Sequence, residues 1–172
     1  MRKNTKTAVE IERKYVIKMP SLSVLAEQEN YTSSEILQIY LKGEQGETHR
    51  IRRRSYPDKT ICTETRKIRI DKMSSTEIEG EITEESFNAL AAAPLEGTIP
   101  IEKTRHTFVY KGQLFEIDVY PQWKNTAIME TELPSRDKNV EMPDFINILK
   151  EVTGNKAYSN ASMSRAFPAE EC

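Results

Sequence analysis

The sequence predicts a mainly β fold of the α+β class: a closed eight-stranded antiparallel β-barrel with covering helices and a C-terminal helix. Three observations carry this. Apolar and polar side chains alternate with a period of two in eight segments separated by turn residues. Most of the connections are short, which favours antiparallel neighbours. Charged residues form 30% of the 172-residue chain, more than the loops can hold, so many must lie on strands. Closing eight strands into a barrel leaves no exposed edge.

The first strand is expected over 8–18, where Glu10, Glu12 and Lys14 alternate with Ile11 and Tyr15. A short helix follows Pro20 over 21–29. Strands are expected at 35–42, 47–55, 60–70 and 75–83. Gly43 and Gly46 separate the second from the third, and Ser55-Tyr56-Pro57-Asp58 the third from the fourth. Thr83 is suited to cap a helix over 84–92, with Glu84 and Glu85 in the first turn, where the helix dipole favours acids. Strands at 100–110 and 113–120 are joined by the Lys111-Gly112 hairpin, and the last strand covers 126–133. Phe145, Ile146, Leu149 and Val152 are spaced as on a helix, so 143–152 is read as one, and 158–165 as another. With no repeat, low-complexity tract or long linker, 1–172 is expected to be one domain.

Residues two apart on a strand share a face. That rule gathers the charges into rows. Glu10, Glu12 and Lys14 form one; Arg50, Arg52 and Arg54 another. Thr63, Thr65 and Lys67 follow, then Glu77, Glu79 and Glu81, then Lys103 and Arg105. Glu116 with Asp118, and Glu130 with Glu132, complete the set. Two barrels satisfy this pattern. In one, charges face water around an apolar interior, as charged rows usually do. In the other, charges line the interior and helices cover an apolar exterior. Two features shift the balance toward the second without deciding it: the rows are sorted by sign, where a solvated barrel more often mixes signs within a strand, and the helical segments are better used as covers for an apolar exterior. Charges inside are costly unless the lumen is wet and holds both a polyanion and cations. Clustered carboxylates suit Mg²⁺ or Mn²⁺, and arginine and lysine rows suit phosphoryl oxygens.

Other function classes have little support. Net charge is −2, which offers nothing to nucleic acid or an anionic membrane. The polar stretch Met1 to Glu10 has no apolar run, so neither signal peptide nor membrane span is expected there, and the cytoplasm is the expected location. Cys62 and Cys172 lack metal-ligand spacing, and no bridge between them is expected. No Ser/His/Asp or Cys/His set and no Gly-rich phosphate loop is evident. His49 and His106 fall on the faces opposite the charged rows and are read as structural or exposed. Trp123 is read as packing or rim.

The Glu10-Ile11-Glu12-Arg13-Lys14 strand resembles the signature of the CYTH family, the triphosphate tunnel metalloenzymes. Further segments match in order. Ile36 to Leu41 resembles the family's second strand, with Ile39 where a glycine is usual. Arg50-Ile51-Arg52 resembles its arginine strand. Thr65-Arg66-Lys67 resembles its Thr-x-Lys strand, with the register of Lys67 left open by the adjacent Arg66. Glu77-Ile78-Glu79, Lys103-Thr104-Arg105, Phe115-Glu116-Ile117-Asp118 and Glu130-Thr131-Glu132-Leu133 follow. Lys156 to Asn160 resembles the start of its C-terminal helix. Val119 stands where many bacterial members carry a further acid.

The resemblance implies a tunnel open at its ends that hydrolyses inorganic triphosphate or a related short polyphosphate to diphosphate and phosphate. It implies Glu10, Glu12, Asp118, Glu130 and Glu132 as ligands of Mg²⁺ or Mn²⁺, with Glu77, Glu79 and Glu81 for a second metal or for orienting water. Lys14, Arg50, Arg52, Lys67, Lys103, Arg105 and Lys156 are the implied triphosphate contacts. Tyr40 and Lys103 are assigned to catalysis, Tyr40 as a hydrogen-bond donor or proton relay. Water would attack the terminal phosphorus in line. Two alternatives stand beside this reading: cyclisation of ATP to cyclic AMP, and polyphosphate or nucleotide binding without catalysis. The expected partner is a triphosphate-bearing small molecule, with neither nucleic acid nor membrane expected and a homodimer left open.

Overall fold

One long strand closes the structure. In the computed structural model, which describes residues 3–171 with side chains from residue 5, β1 runs Lys3–Lys18. It is followed by β2 (Glu29–Leu41), β3 (Glu47–Ser55), β4 (Thr60–Arg69), β5 (Ser74–Ile82), β6 (Ile101–Tyr110), β7 (Gln113–Val119) and β8 (Thr126–Glu132). The first half of β1 pairs with β5, as in Ala8 with Glu77. Its second half pairs with β8, as in Glu12 with Glu132 and Lys14 with Glu130. The sheet order β5-β4-β3-β2-β6-β7-β8-β1 therefore returns on itself, every pair antiparallel, as the sequence predicts. The charged rows face the lumen.

The apolar rows face out, and most are covered. α2 (Glu84–Ala91), capped by the Thr83 hydroxyl accepting from the Ser86 amide, lays Phe87 on Ile39, Leu41, Ile51 and Cys62. Fully burying such a side chain contributes about 1.5–3 kcal/mol. On the opposite wall Tyr15, Ile17, Phe108, Phe115, Ile117 and Met129 lie under Leu25 of α1 (Leu22–Ala26) and under Phe145, Ile146 and Ile148. Cys62 is buried and free, while Cys172, like Met1 and Arg2, lies outside the described residues.

The expected helix over 143–152 is instead a turn followed by a ninth strand, β9 (Ile148–Glu151). β5 leaves β1 after Ile11, and β9 takes the edge so freed, pairing Tyr15 with Glu151. The helical spacing misled because both faces of this strand are covered. Ile148 packs on the outer wall, and Leu149 and Val152 pack at the barrel's end. The helix expected over 21–29 is also shorter, because β2 starts at Glu29 and pairs with Val109 of β6.

The barrel is not open at both ends. Val16, Tyr40, Ile101, Tyr120 and Ile128 form an apolar layer inside one end, sealed by Trp123, Val152, Tyr158 and Met163. Tyr158 ends a 3-10 turn (Lys156–Tyr158), and Met163 ends α3 (Asn160–Met163), which together form the expected C-terminal helix in broken form. Among the described residues no helix is long and apolar enough to cross a membrane.

Candidate active site

Above the plug the lumen holds a cavity of about 530 Å³. Its walls divide by sign. A basic arc runs over β3, β2 and β6 and presents Arg50, Arg52, Arg54 and Arg105, with Gln38 and Tyr40 between them. An acidic arc runs over β7, β8, β1 and β5 and presents Glu116, Glu130, Glu132, Glu10, Glu12, Glu77 and Glu79. Lys14 and Lys67 stand within or beside the acids. The cavity opens between the 3-10 turn and the β4–β5 hairpin, where Arg69, Lys72, Gly154 and Lys156 form the rim.

The basic arc is held by hydrogen bonds. Arg52 donates through Nε to Gln38 Oε1 at 3.0 Å, and Gln38 Nε2 donates to the Tyr40 hydroxyl at 2.6 Å. Tyr40 thus keeps its own hydroxyl proton free. Arg105 grips Asp118 with Nε and one terminal nitrogen at 2.7 and 2.8 Å, and Glu116 with the other at 2.8 Å. Burial works against the Arg105 charge, but Asp118 and Glu116 raise its pKa well above the ordinary value. Among the described residues Arg52 has no carboxylate within ion-pair distance; burial and the neighbouring Arg50 and Arg105 bring it down to about 10. The Nε of Arg50 is buried and without a hydrogen-bond partner. This wall has more positive charge than its protein partners neutralise.

The acidic arc is crowded in the opposite sense. Burial, Glu77 and Glu132 raise Glu10 to about 8, and Glu10 is hydrogen-bonded to Glu77. Glu12 is raised chiefly by Glu130 and then by burial, and Glu132 by burial and Glu116. Besides Glu116, held by Arg105, two acids have found cations. Lys14 lies 2.9 Å from Glu130 and, against burial, pulls it down to about 2. Lys67 lies 2.9 Å from Glu77. Glu79 accepts from the Thr65 hydroxyl at 2.7 Å. Among the described residues no three acidic, His or Cys side chains stand close enough to hold a cation as they are. The donors are nonetheless the hard carboxylate oxygens that Mg²⁺ and Mn²⁺ take. Their mutual repulsion, and the lysines on Glu130 and Glu77, account for their spread.

Most of the residues singled out in the sequence meet in this one cavity. Lys67 faces in and Arg66 faces out to Glu47, which settles the register. Lys103 and Asp118 are the exceptions. Both point inward but lie below the cavity, sealed off, with Lys103 Nζ 2.7 Å from Asp118 Oδ2. Burial lowers Lys103 to about 7 in spite of Asp118, and Asp118 is held far below the usual carboxylate range, against burial, by Arg105 and Lys103. The two-residue period gives the face of a strand but not the depth along the barrel axis. Glu81 lies at the exposed end of its row, and Arg54 donates to Ser34 at 2.8 Å. His49 and His106 are structural, bonded on the outer wall to Glu64 and Tyr31, and Trp123 packs in the plug. Sequence reasoning missed Gln38 and Tyr120. Gln38 shares the face of Tyr40 two residues on, and that spacing could have found it.

Fold and site together define a closed barrel whose lumen sets basic side chains on one wall against acidic side chains on the other. The CYTH domain pattern matches residues 8–167, and the chain belongs to that family. Among solved structures it is similar to the inorganic triphosphatase NE1496, at 27% identity over 92% of this chain and 96% of that one, with a TM-score of 0.59. It is also similar to the PH1819 protein from Pyrococcus horikoshii OT3, at 25% identity over 74% and 80%, with a TM-score of 0.55. The PH1012 protein from the same organism, at 15% identity over 73% and 80% and a TM-score of 0.53, shares the fold. No curated protein matches the chain.

Proposed function

We propose that this chain hydrolyses a triphosphate, inorganic triphosphate or a related short polyphosphate, to diphosphate and phosphate with the help of a divalent cation. One observation carries the reading. The two arcs of the lumen are each out of electrostatic balance, in opposite directions, across a single cavity. A triphosphate neutralises the basic arc, and its cations neutralise the acidic one. Membership in a family that includes triphosphatases, and likeness to one of them, support the same reading.

Arg50, Arg52 and Arg105 are assigned to the phosphoryl oxygens, with Lys14 and Lys67 reaching across from the acidic side and Lys156 steering from the rim. Arg50, with its unpartnered Nε, gains a hydrogen bond when an anion arrives. The free hydroxyl proton of Tyr40 can be donated to a phosphoryl oxygen. Glu10, Glu12, Glu130 and Glu132 are assigned to hold Mg²⁺ or Mn²⁺, which when bound supplies Lewis-acid neutralisation of phosphoryl charge. Glu77 and Glu79 are assigned to a second cation or to orienting the attacking water. The water oxygen attacks the terminal phosphorus in line, the bond to the bridging oxygen breaks, and diphosphate leaves; positioning and electrostatics do most of the catalysis. Asp118 and Lys103 receive a different part from the one the resemblance implies. They form a buried pair that fixes Arg105 from behind.

The test is a phosphate-release panel with inorganic triphosphate, ATP and thiamine triphosphate, each with Mg²⁺, Mn²⁺ and a chelator. Release from inorganic triphosphate that the chelator abolishes is expected. Cyclic AMP from ATP, or binding without turnover under every metal, would overturn it.

A further inference from the structure

Asn160 stands where the apolar plug meets the charged cavity. It opens α3, and it lines the cavity that Lys103 does not reach. Its side-chain oxygen accepts from the Tyr120 hydroxyl at 2.7 Å and lies 3.5 Å from Lys103 Nζ. The amide turns its oxygen, not its nitrogen, toward both the Tyr120 hydroxyl and Lys103, the latter already donating to Asp118. That fixes the orientation of the whole group. The amide nitrogen is left with no hydrogen-bond partner among the described residues. It is not sealed off either, since Arg50 Nε is the only buried side-chain nitrogen or oxygen among them without one.

We propose that Asn160 is a further substrate-positioning residue, its amide N–H groups donating to phosphoryl oxygens at the closed end of the cavity while Lys103 and Tyr120 lock its oxygen in place. The proposal rests on the triphosphate reading above. It also gives the sealed Lys103 a purpose: the lysine acts on the substrate through Asn160. A neutral donor suits this position because the adjoining wall already has cations in excess. A further cation there would be repelled, whereas an oriented amide adds hydrogen bonds without charge.

The experiment compares Asn160→Asp with Ser162→Asp. The first keeps the oxygen that Lys103 and Tyr120 hold and replaces the donor nitrogen. The second puts the same charge on another residue of α3 that lines the cavity. Three quantities are measured: KM and kcat for inorganic triphosphate with Mg²⁺, the triphosphate concentration that half-raises the melting temperature in EDTA, and the melting temperature without ligand. For N160D we expect KM and the half-raising concentration to rise together by about tenfold, the loss of a hydrogen bond to a charged group, with kcat much less changed. For S162D, less than about threefold is expected, since its charge is screened at the wet mouth. Equal effects of the two variants would mean charge alone is read and would overturn the proposal. So would wild-type values for N160D, or a loss of activity that merely follows a lowered melting temperature. If the wild-type protein neither turns over nor is stabilised by triphosphate, the reading of the lumen fails, and Asn160 with it. That outcome is distinct from a wild type that works and an N160D that matches it.

Discussion

The basic arc of the lumen presents four charged side chains and the acidic arc seven, and the two are held in opposite ways. Arg105 and Arg52 on the basic arc are fixed by Asp118, Glu116 and Gln38. On the acidic arc burial first, and then neighbouring carboxylates, raise the pKa values of Glu10 and Glu132, while Glu130 and then burial raise that of Glu12. One arc is preorganised by the protein; on the proposed function, the other is completed by cations from outside. Anion recognition and cation recognition in this lumen therefore differ in how far the apo fold has prepared them. Preorganised donors need no rearrangement when charge arrives, whereas the carboxylates must draw together.

The sharpest way to break this comparison is to remove the clamp behind the basic arc. Asp118→Asn takes the carboxylate from buried Lys103 and strips Arg105 of its two-pronged grip, leaving Arg105 to Glu116 and the more distant Glu130. Removing one partner of a buried ion pair costs about 3–5 kcal/mol. Urea denaturation of D118N should show a loss of that order, with turnover falling as Arg105 loses its anchor. A wild-type denaturation midpoint would mean that the arc does not depend on Asp118.

On the acidic arc the opposite pattern is expected. Glu10→Gln or Glu132→Gln replaces a carboxyl whose charged form burial and neighbouring acids disfavour, so stability should hold or rise. Metal-dependent turnover of triphosphate should nevertheless fall by more than about tenfold, as carboxylate oxygen for a divalent cation is lost. Initial rates over a range of Mg²⁺ concentrations would measure this. Unchanged rates would remove both residues from the metal site.

Much of this contrast is legible in the sequence. Period-two rows put Glu10 with Glu12, Arg50 with Arg52 and Glu130 with Glu132, and their sorting by sign shifts the balance toward charges inside. Three things were not legible, each for a physical reason. Depth along the barrel is set by shear and by the plug, so Lys103 and Asp118 share the lumen face with Arg105 yet lie beneath the cavity. Uncharged polar residues such as Gln38 and Asn160 do not stand out in a row of charges, although they hold those charges in place. The ninth strand was hidden because burial on both faces imitates a helical stripe.

The smallest expected effect separates the lumen from the wall that carries it. His106 follows Arg105 on β6 and points the other way, stacked on Tyr31, whose hydroxyl lies 2.9 Å from its Nδ1. Burial lowers its pKa below the ordinary 6.5; the carboxylates of Glu35 and Asp118 oppose this without reversing it. The folded state therefore binds this proton less readily than the unfolded chain. Stability from this site is complete above the unfolded pKa and is lost as pH falls from about 6.5 toward the lower folded value. The non-titrating His106→Phe variant keeps a ring against Tyr31. The difference in unfolding free energy between wild type and H106F should shift against the wild type from pH 7 to pH 5.5. The lumen carboxylates titrate in both proteins and drop out of that difference. At pH 7, KM for triphosphate should be the same in the two. A change in KM without a change in the pH slope would mean that the outer wall and the basic arc are coupled through β6, and that the arc's preorganisation extends beyond the lumen.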